Sequence, residues 1–286
     1  MKTKSASKRI ITLMKKIPLV SVILPVKGRY NYVSEAIRSV YGQMGVPRES
    51  IEIIVVENHD DPKLLKNKLL KKFPDIRHVL NMSIDGPGRK RNTGMNKSRG
   101  KYIAFLDSDD IWERDFLKTS IALLQDNPEI GATLCLSKPF FMSKKKMREK
   151  IIMISLHYIK DIALRLSYLA NGKNLPSSAF YLPQVSHMVF NKNNIKNIQF
   201  LPEFRKSGQD WRYFAHVLES NNIRILLRRM VRFRYSGGSL TRQRNYVMNK
   251  VDNYRRLDGH LSDVNKRGLF YFLYKRYVSI CKYIYT

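Results

Sequence analysis

Four short apolar runs, rich in β-branched residues and spaced by helical patterns, constrain this 286-residue chain more than any other feature. Leu19–Val26 and Ile51–Val56 are almost uninterrupted apolar stretches, which suits strands buried on both faces. Pro25 is read as stopping the first ladder. Between these runs Val33, Ile37, Val40, Tyr41 and Met44 follow helical spacing, with Asn31 as a candidate cap. A polar turn at 57–62 and a Lys-rich helix through Phe73 come next, then a third strand over Ile76–Leu80. Gly86-Pro87-Gly88 reads as a turn, followed by a helix over Arg89–Ser98 and a fourth strand over Tyr102–Leu106. The alternation βαβαβαβ predicts an α/β fold with a mostly parallel sheet covered by helices on both faces.

Beyond residue 130 the pattern loosens. Strands are predicted at Gly131–Leu136, Ser186–Phe190 and Ile223–Leu227, and a helix at Asp210–Ser220. Open parallel sheets bind ligands at the carboxyl ends of their strands. The candidate functional residues are therefore Lys27, Glu57 and the turn through Asp61, Asp85, and Asp107–Asp110.

Composition adds a charge constraint. Lys and Arg number 53 against 23 Asp and Glu, a net of +30, so an anionic partner is expected: nucleic acid, membrane surface or phosphorylated substrate. Residues 1–130 carry 24 basic and 15 acidic residues, whereas 131–286 carry 29 and 8, which places most of the surplus in the second half. Cys135 and Cys281 lack metal or redox spacing, and the six histidines show no ligand pattern. The apolar stretch Ile10–Met14 is too short for a signal-peptide core, and no run approaches a membrane span, so a cytoplasmic location is expected.

Asp107-Ser108-Asp109-Asp110 gathers three carboxylates at the end of an apolar strand. Like charges so close need a cation or hydrogen-bond donors, and hard oxygens of this kind suit Mg²⁺ or Mn²⁺ bridging to substrate phosphates. The plainer alternative is a solvated turn in which one Asp caps a helix beginning near Trp112.

The neighbouring segments carry a resemblance. Val20-Ser21-Val22-Ile23-Leu24-Pro25, Ala36–Val40 with Gln43, Ile53–Val56, Arg91-Asn92-Thr93-Gly94, and Gly100 through Asp110 resemble the ordered motifs of the family 2 glycosyltransferases. Gly208-Gln209-Asp210-Trp211 and Tyr235-Ser236-Gly237-Gly238-Ser239-Leu240 continue the series. The resemblance implies a GT-A fold and inverting transfer from a nucleotide-diphosphate sugar, with a UDP-sugar as the leading donor. It places Asp107 and Asp109 in the D-x-D motif as donor and metal (Mn or Mg) ligands, with Asp110 a third member or structural cap. Pro25, Glu57 and Arg91 fall on donor-binding positions, Arg91 near the base; its alternative is a solvated helix charge. Glu57 stands where the family has an Asp, and Asn58-His59-Asp60 departs from the family's turn. Asp210 matches the general base, its alternative being a helix start favoured by the dipole, and Gln209 replaces the usual Glu beside it.

The expected organisation is a basic segment at 1–17, a nucleotide-sugar half at 18–130, an acceptor half at 131–241, and a basic amphipathic C-terminal extension at 242–286. In that extension Leu269, Leu273, Tyr277, Ile280 and Ile284 share one helical face, which suits either an anionic membrane at the cytoplasmic side or docking on the domain. Arginines between 224 and 244 are candidates to close on the diphosphate. The implied acceptor is a glycan or lipid-linked glycan of surface polysaccharide or lipopolysaccharide. Competing readings are a non-catalytic polyanion or nucleic-acid binder, although no specific nucleic-acid motif is present, and a donor-binding but inactive family member.

Overall fold

The computed structural model describes residues 17–58, 62–82, 86–142, 147–170, 184–201, 209–220 and 222–235. In chain order these form β1 (Val20–Val26), α1 (Tyr30–Tyr41), β2 (Ile51–Asn58), α2 (Pro62–Lys72), β3 (Arg77–Asn81), α3 (Pro87–Lys97), β4 (Tyr102–Phe105), β5 (Ile111–Trp112) and α4 (Phe116–Asp126). There follow β6 (Ala132–Phe141), α5 (Met147–Ala170), β7 (Met188–Asn191), α6 (Lys192–Ile195), α7 (Gln209–Ser220) and β8 (Ile223–Tyr235).

All eight strands join one sheet in the order β3-β2-β1-β4-β7-β6-β8-β5. β3, β2, β1 and β4 are parallel, with Val22 opposite both Ile53 and Ala104, so their carboxyl ends share one edge. β7 runs antiparallel to β4 and β6, while β6 and β8 are parallel to each other. Side chains alternate across the pleat. Val22 and Leu24 therefore pack with Val33 and Ile37 of α1 and Phe116 of α4, whereas Ile23 packs on the opposite layer with Met95, Phe200 and Phe214. This second core fixes α7. Tyr213 stacks on Phe200 at 4.0 Å and meets Phe105 and Phe190 edge-on, contacts worth about 0.5–1.5 kcal/mol each beyond burial. The start of α7, with Asp210, is thereby held against the sheet.

Several expectations are corrected. The β1 ladder runs past Pro25, whose register partner is Val56, to pair Val26 with Glu57. Asn31 lies within the first turn of α1 and the capping position belongs to Arg29. Gly86-Pro87-Gly88 opens α3, with Pro87 in the first turn where its missing N–H costs nothing. Trp112 lies in β5, paired with β8, and the following helix starts at Phe116. That helix takes its cap from afar: the Leu117 N–H donates to Gln43 Oε1 at 2.9 Å, while Gln43 Nε2 donates to the Glu113 carbonyl at 2.8 Å. The last strand extends eight residues beyond Leu227, to Tyr235. The 24-residue α5 has no counterpart among the expected elements, because its apolar positions surround the helix instead of forming one stripe.

Candidate active site

The carboxyl edge of β1, β2 and β4 carries the residues of interest. The turn after β4 is pinned from three directions. Leu106 N–H donates to the Ile23 carbonyl of β1, and Asp107 N–H donates to Ser186 Oγ at 3.0 Å. From β8, Arg234 Nε donates to the Asp109 carbonyl at 2.8 Å and the Arg234 N–H reaches Asp110 Oδ1 at 3.4 Å. The buried Arg234 guanidinium also pairs with Glu35 of α1 and lies 4.3 Å over Tyr32 and 4.6 Å over Phe140. Arg234 therefore clamps the turn and is not available to close over a diphosphate. Of its neighbours, Arg228 pairs with Asp115, Arg229 with Asp161, and Arg232 lies over Phe140.

The three carboxylates of the turn are not equivalent. Asp110 is 1% exposed, and burial first, then the charges of Asp109 and Asp107, push its carboxyl well above the usual range. It is a buried structural member, not a cap for a helix at Trp112. Asp109 is raised too, by burial and by Asp107, against opposing pulls from Arg29 and Arg234. Arg29, whose φ of 57° places it in the left-handed region, donates through Nη1 to Asp109 Oδ2 at 2.9 Å.

Arg91 is the junction of the site. Carried on α3 and 2% exposed, it donates through Nη2 to Asp107 Oδ1 and through Nη1 to Asp210 Oδ1, both at 2.6 Å. The reading of Arg91 as a solvated helix charge is thereby excluded. Its neighbour Asn92 makes reciprocal bonds with the backbone of Phe200, Nδ2 to carbonyl at 2.8 Å and N–H to Oδ1 at 2.9 Å. The Phe200 ring in turn lies 5.2 Å under the Arg91 guanidinium. The Arg-Asn pair thus ties α3 to the aromatic cluster that seats α7, and Gln209 lies against Gly88 at the start of α3.

Glu57, at the end of β2, is buried, and its Oε2 lies 3.0 Å from Nε2 of His78 on β3. Pro25 sits one residue from the end of β1. Lys90 is buried with its Nζ donating to the Val26 carbonyl at 2.8 Å. Asp107, Asp109, Arg91 and Asp210 therefore converge, whereas Glu57 and Pro25 belong to the adjoining β1–β2 edge. Sequence reasoning missed Arg29, His78, Lys90 and Ser186, and it offered Arg234 only as one of the arginines that could close on the diphosphate, not as the clamp of the turn. Lys90 alone carried a signal, lying beside Arg91 at the carboxyl edge. His59, Asp60, Asp61, Asp85, Gly208, the motif residues 236–240, Arg242, Arg244, nearly all of the 1–17 segment and the whole 242–286 extension lie outside the described residues.

The turn suits a divalent cation. Asp107 and Asp109 are partly open while Asp110 is sealed, so two hard carboxylates face the cleft, and their mutual repulsion is the charge a cation would relieve. Two carboxylates completed by water and phosphate oxygens is the usual Mg²⁺ or Mn²⁺ arrangement. Among the described residues no group of three or more His, Cys, Asp or Glu converges as a protein-only cage.

Comparison with known proteins places the chain among glycosyltransferases. Over 223 residues the chain is 28% identical to an uncharacterized glycosyltransferase of Rickettsia felis, covering 78% of this chain and 34% of that protein. It is 27% identical over 114 residues to the poly(ribitol-phosphate) beta-N-acetylglucosaminyltransferase TarS of Staphylococcus aureus, covering 37% of this chain and 19% of that protein. The chain thus spans about a third of the Rickettsia relative and less of TarS. A TarS fragment solved with UDP-GlcNAc superimposes with a TM-score of 0.56 at 18% identity, covering 80% of this chain and 63% of that one. The mannosyltransferase PcManGT of Pyrobaculum calidifontis, solved with GDP-Man and Mn²⁺, gives 0.57 at 16% identity over 92% and 71%. These structural likenesses show the shared GT-A fold. The profile of Glycosyl transferase family 2 matches residues 21–190, the segment that builds β1 to β7 and the carboxylate turn, and the chain belongs to that family.

Proposed function

We propose that this protein is a metal-dependent inverting glycosyltransferase that moves a sugar from a nucleotide-diphosphate sugar, with UDP as the leading nucleotide, to a hydroxyl of a surface-polymer acceptor. The acceptor would be a glycan or lipid-linked glycan, as in surface polysaccharide or lipopolysaccharide synthesis. The observation that carries the reading is the Arg91 bridge, which brings Asp107 and Asp210, 103 positions apart in sequence, to one guanidinium. Support for the donor class comes from the structural neighbours solved with UDP-GlcNAc and GDP-Man, and for the acceptor class from relatives named for poly(ribitol-phosphate) and minor teichoic acid synthesis.

Asp107 and Asp109 would hold Mg²⁺ or Mn²⁺, which when bound offsets the charge building on the departing diphosphate. Asp210 accepts the proton of the acceptor hydroxyl as that oxygen attacks the anomeric carbon. Opposite-face attack and departure of the nucleoside diphosphate invert that carbon in one displacement. Arg91 holds the Asp210 carboxylate on the Asp107 side of the cleft, so base and donor are positioned by the same cation. Glu57 and Pro25 line the base side, with His78 setting the Glu57 orientation. Residues 18–130 form the donor half and 131–241 the acceptor half. The protein works at the inner face of the cell membrane as a peripheral enzyme; none of the described helices is long and apolar enough to cross a bilayer.

The test is a donor panel with Mn²⁺, read by mass spectrometry, run on wild type and Asp210→Asn. The variant should bind donor as wild type does and lose transfer by about 10²-fold or more. Equal turnover overturns the assignment of the base, and donor binding without turnover in wild type favours the inactive family member.

A further inference from the structure

We propose that the outer face of α5 is a docking surface for an anionic lipid bilayer. One side of this helix is fully committed to the protein. Asp161, Leu164 and Tyr168 are buried, His157 bonds Ser137 of β6, and Arg229 of β8 pairs with Asp161 at 3.2 Å while lying 4.6 Å over the Tyr158 ring. About half a helical turn away, Met147, Ile151, Ile159, Ile162, Leu166 and Leu169 are each more than half exposed. Their spacing of three, four or eight residues aligns them along a strip roughly 33 Å long, at about 1.5 Å per residue. Scattered surface apolar residues need no explanation, but six large apolar side chains aligned on one helix face, interrupted there by the exposed Ser155, mark an interaction surface.

Charge selects the occupant. Lys144, Lys145, Lys146, Arg148 and Lys150 fall within seven residues around the start of the helix, against the single acid Glu149. The half of the chain that contains α5 holds 29 basic and 8 acidic residues. Two copies of so basic a surface repel each other, whereas an anionic leaflet attracts the lysines and admits the aliphatic strip to its headgroup boundary. The location is purposeful under the transferase reading, and on that reading alone does its purpose rest. β6 ends at Phe141, stacked on Tyr235 beside the Arg234 that holds the carboxylate turn, and α5 begins six residues later, within about 20 Å of chain. A bilayer on α5 would bring headgroups to the mouth of the cleft, where a lipid-linked acceptor is met.

The full chain is tested by co-sedimentation with vesicles of equal parts phosphatidylcholine and phosphatidylglycerol, and with phosphatidylcholine alone. The expected result is strong binding to the anionic vesicles, and at least about tenfold weaker binding for Ile159→Glu/Leu166→Glu with an unchanged circular dichroism spectrum. A second pair, Ile151→Ser/Leu169→Ser, repeats the reading if the first melts early. Soluble donor hydrolysis, measured in parallel, should be the same in wild type and variants. No binding of any nucleotide-diphosphate sugar by wild type, with vesicle binding still lost selectively in the variants, counts against the transferase reading and leaves the docking surface standing. Unchanged vesicle binding in both pairs, no binding by wild type, or a wild-type dimer that the variants render monomeric overturns the proposal.

Discussion

Replacing Arg91 by Met should be the most informative single change in the cleft, because one buried cation serves two carboxylates from distant parts of the chain. The guanidinium gives one hydrogen bond of 2.6 Å to each of Asp107 and Asp210. A bond between charged partners contributes about 1.5–3 kcal/mol, and removing one member of a buried pair costs about 3–5 kcal/mol. Asp107 and Asp210 are 27% and 33% exposed at the side chain, so water recovers part of that loss when they are left facing each other. A net destabilisation of about 3 kcal/mol follows, equivalent to a fall in melting temperature of roughly 6–12 °C for a chain of this size. Thermal unfolding followed by circular dichroism provides the measurement. Adding Asp210→Asn removes one of the two stranded charges, so the double variant should melt above the sum of the single losses, with a coupling of at least about 1 kcal/mol. Additive losses, or a fall of less than about 2 °C for Arg91→Met, would refute the bridge as the link between the carboxylate turn and α7.

Two further outcomes follow from packing and burial. A Cβ on Gly94 would overlap the Ile23 side chain, whereas one on Gly100 would stand 2.5 Å from the Ser21 backbone nitrogen. Gly94→Ala should therefore cost about 1–3 kcal/mol in the wild-type background and little more than nothing in an Ile23→Ala background, while Gly100→Ala should cost more in either, as denaturant midpoints would report. His187 is buried with both ring nitrogens lacking a hydrogen-bond partner among the described residues, and burial, aided by His157, pulls its pKa down to about 3. Between pH 6.5 and 3 the unfolded chain binds a proton there that the folded protein refuses, so stability falls as pH falls through that window, by up to about 5 kcal/mol. His187→Phe should flatten this acid limb in urea titrations at pH 7 and pH 4.5; an unchanged slope would rule out His187 as its source.

The strands of the parallel half were legible because burial on both faces leaves a local mark, an apolar β-branched run, in Leu19–Val26 and Ile51–Val56. Their order also placed Asp107 and Asp109 at a carboxyl edge before any coordinates. The site was legible in its parts but not in its joints. Arg91 carried two readings in sequence, and only the seating of α7 through Tyr213 and Phe200 brought Asp210 to it and chose between them. Asp110 carried two readings as well, third member or structural cap, and the packing of β8 and Ser186 seals it from the cleft. The cap of α4 came from Gln43, 74 residues away, where the sequence suggested a nearby Asp.

Sequence alone determined the element types from β1 to β4, the parallel half of the sheet and the ordered motifs, because spacing of two and of three to four residues is set by backbone geometry within a few positions. Tertiary structure decided which charges meet. The Arg91, Arg234 and Gln43 contacts join residues 16 to 199 positions apart, and no local periodicity specifies partners at that separation. The same division explains α5: apolar residues around its circumference concealed it in sequence, and the sheet, by covering one side, determined which aliphatic strip was left facing outward.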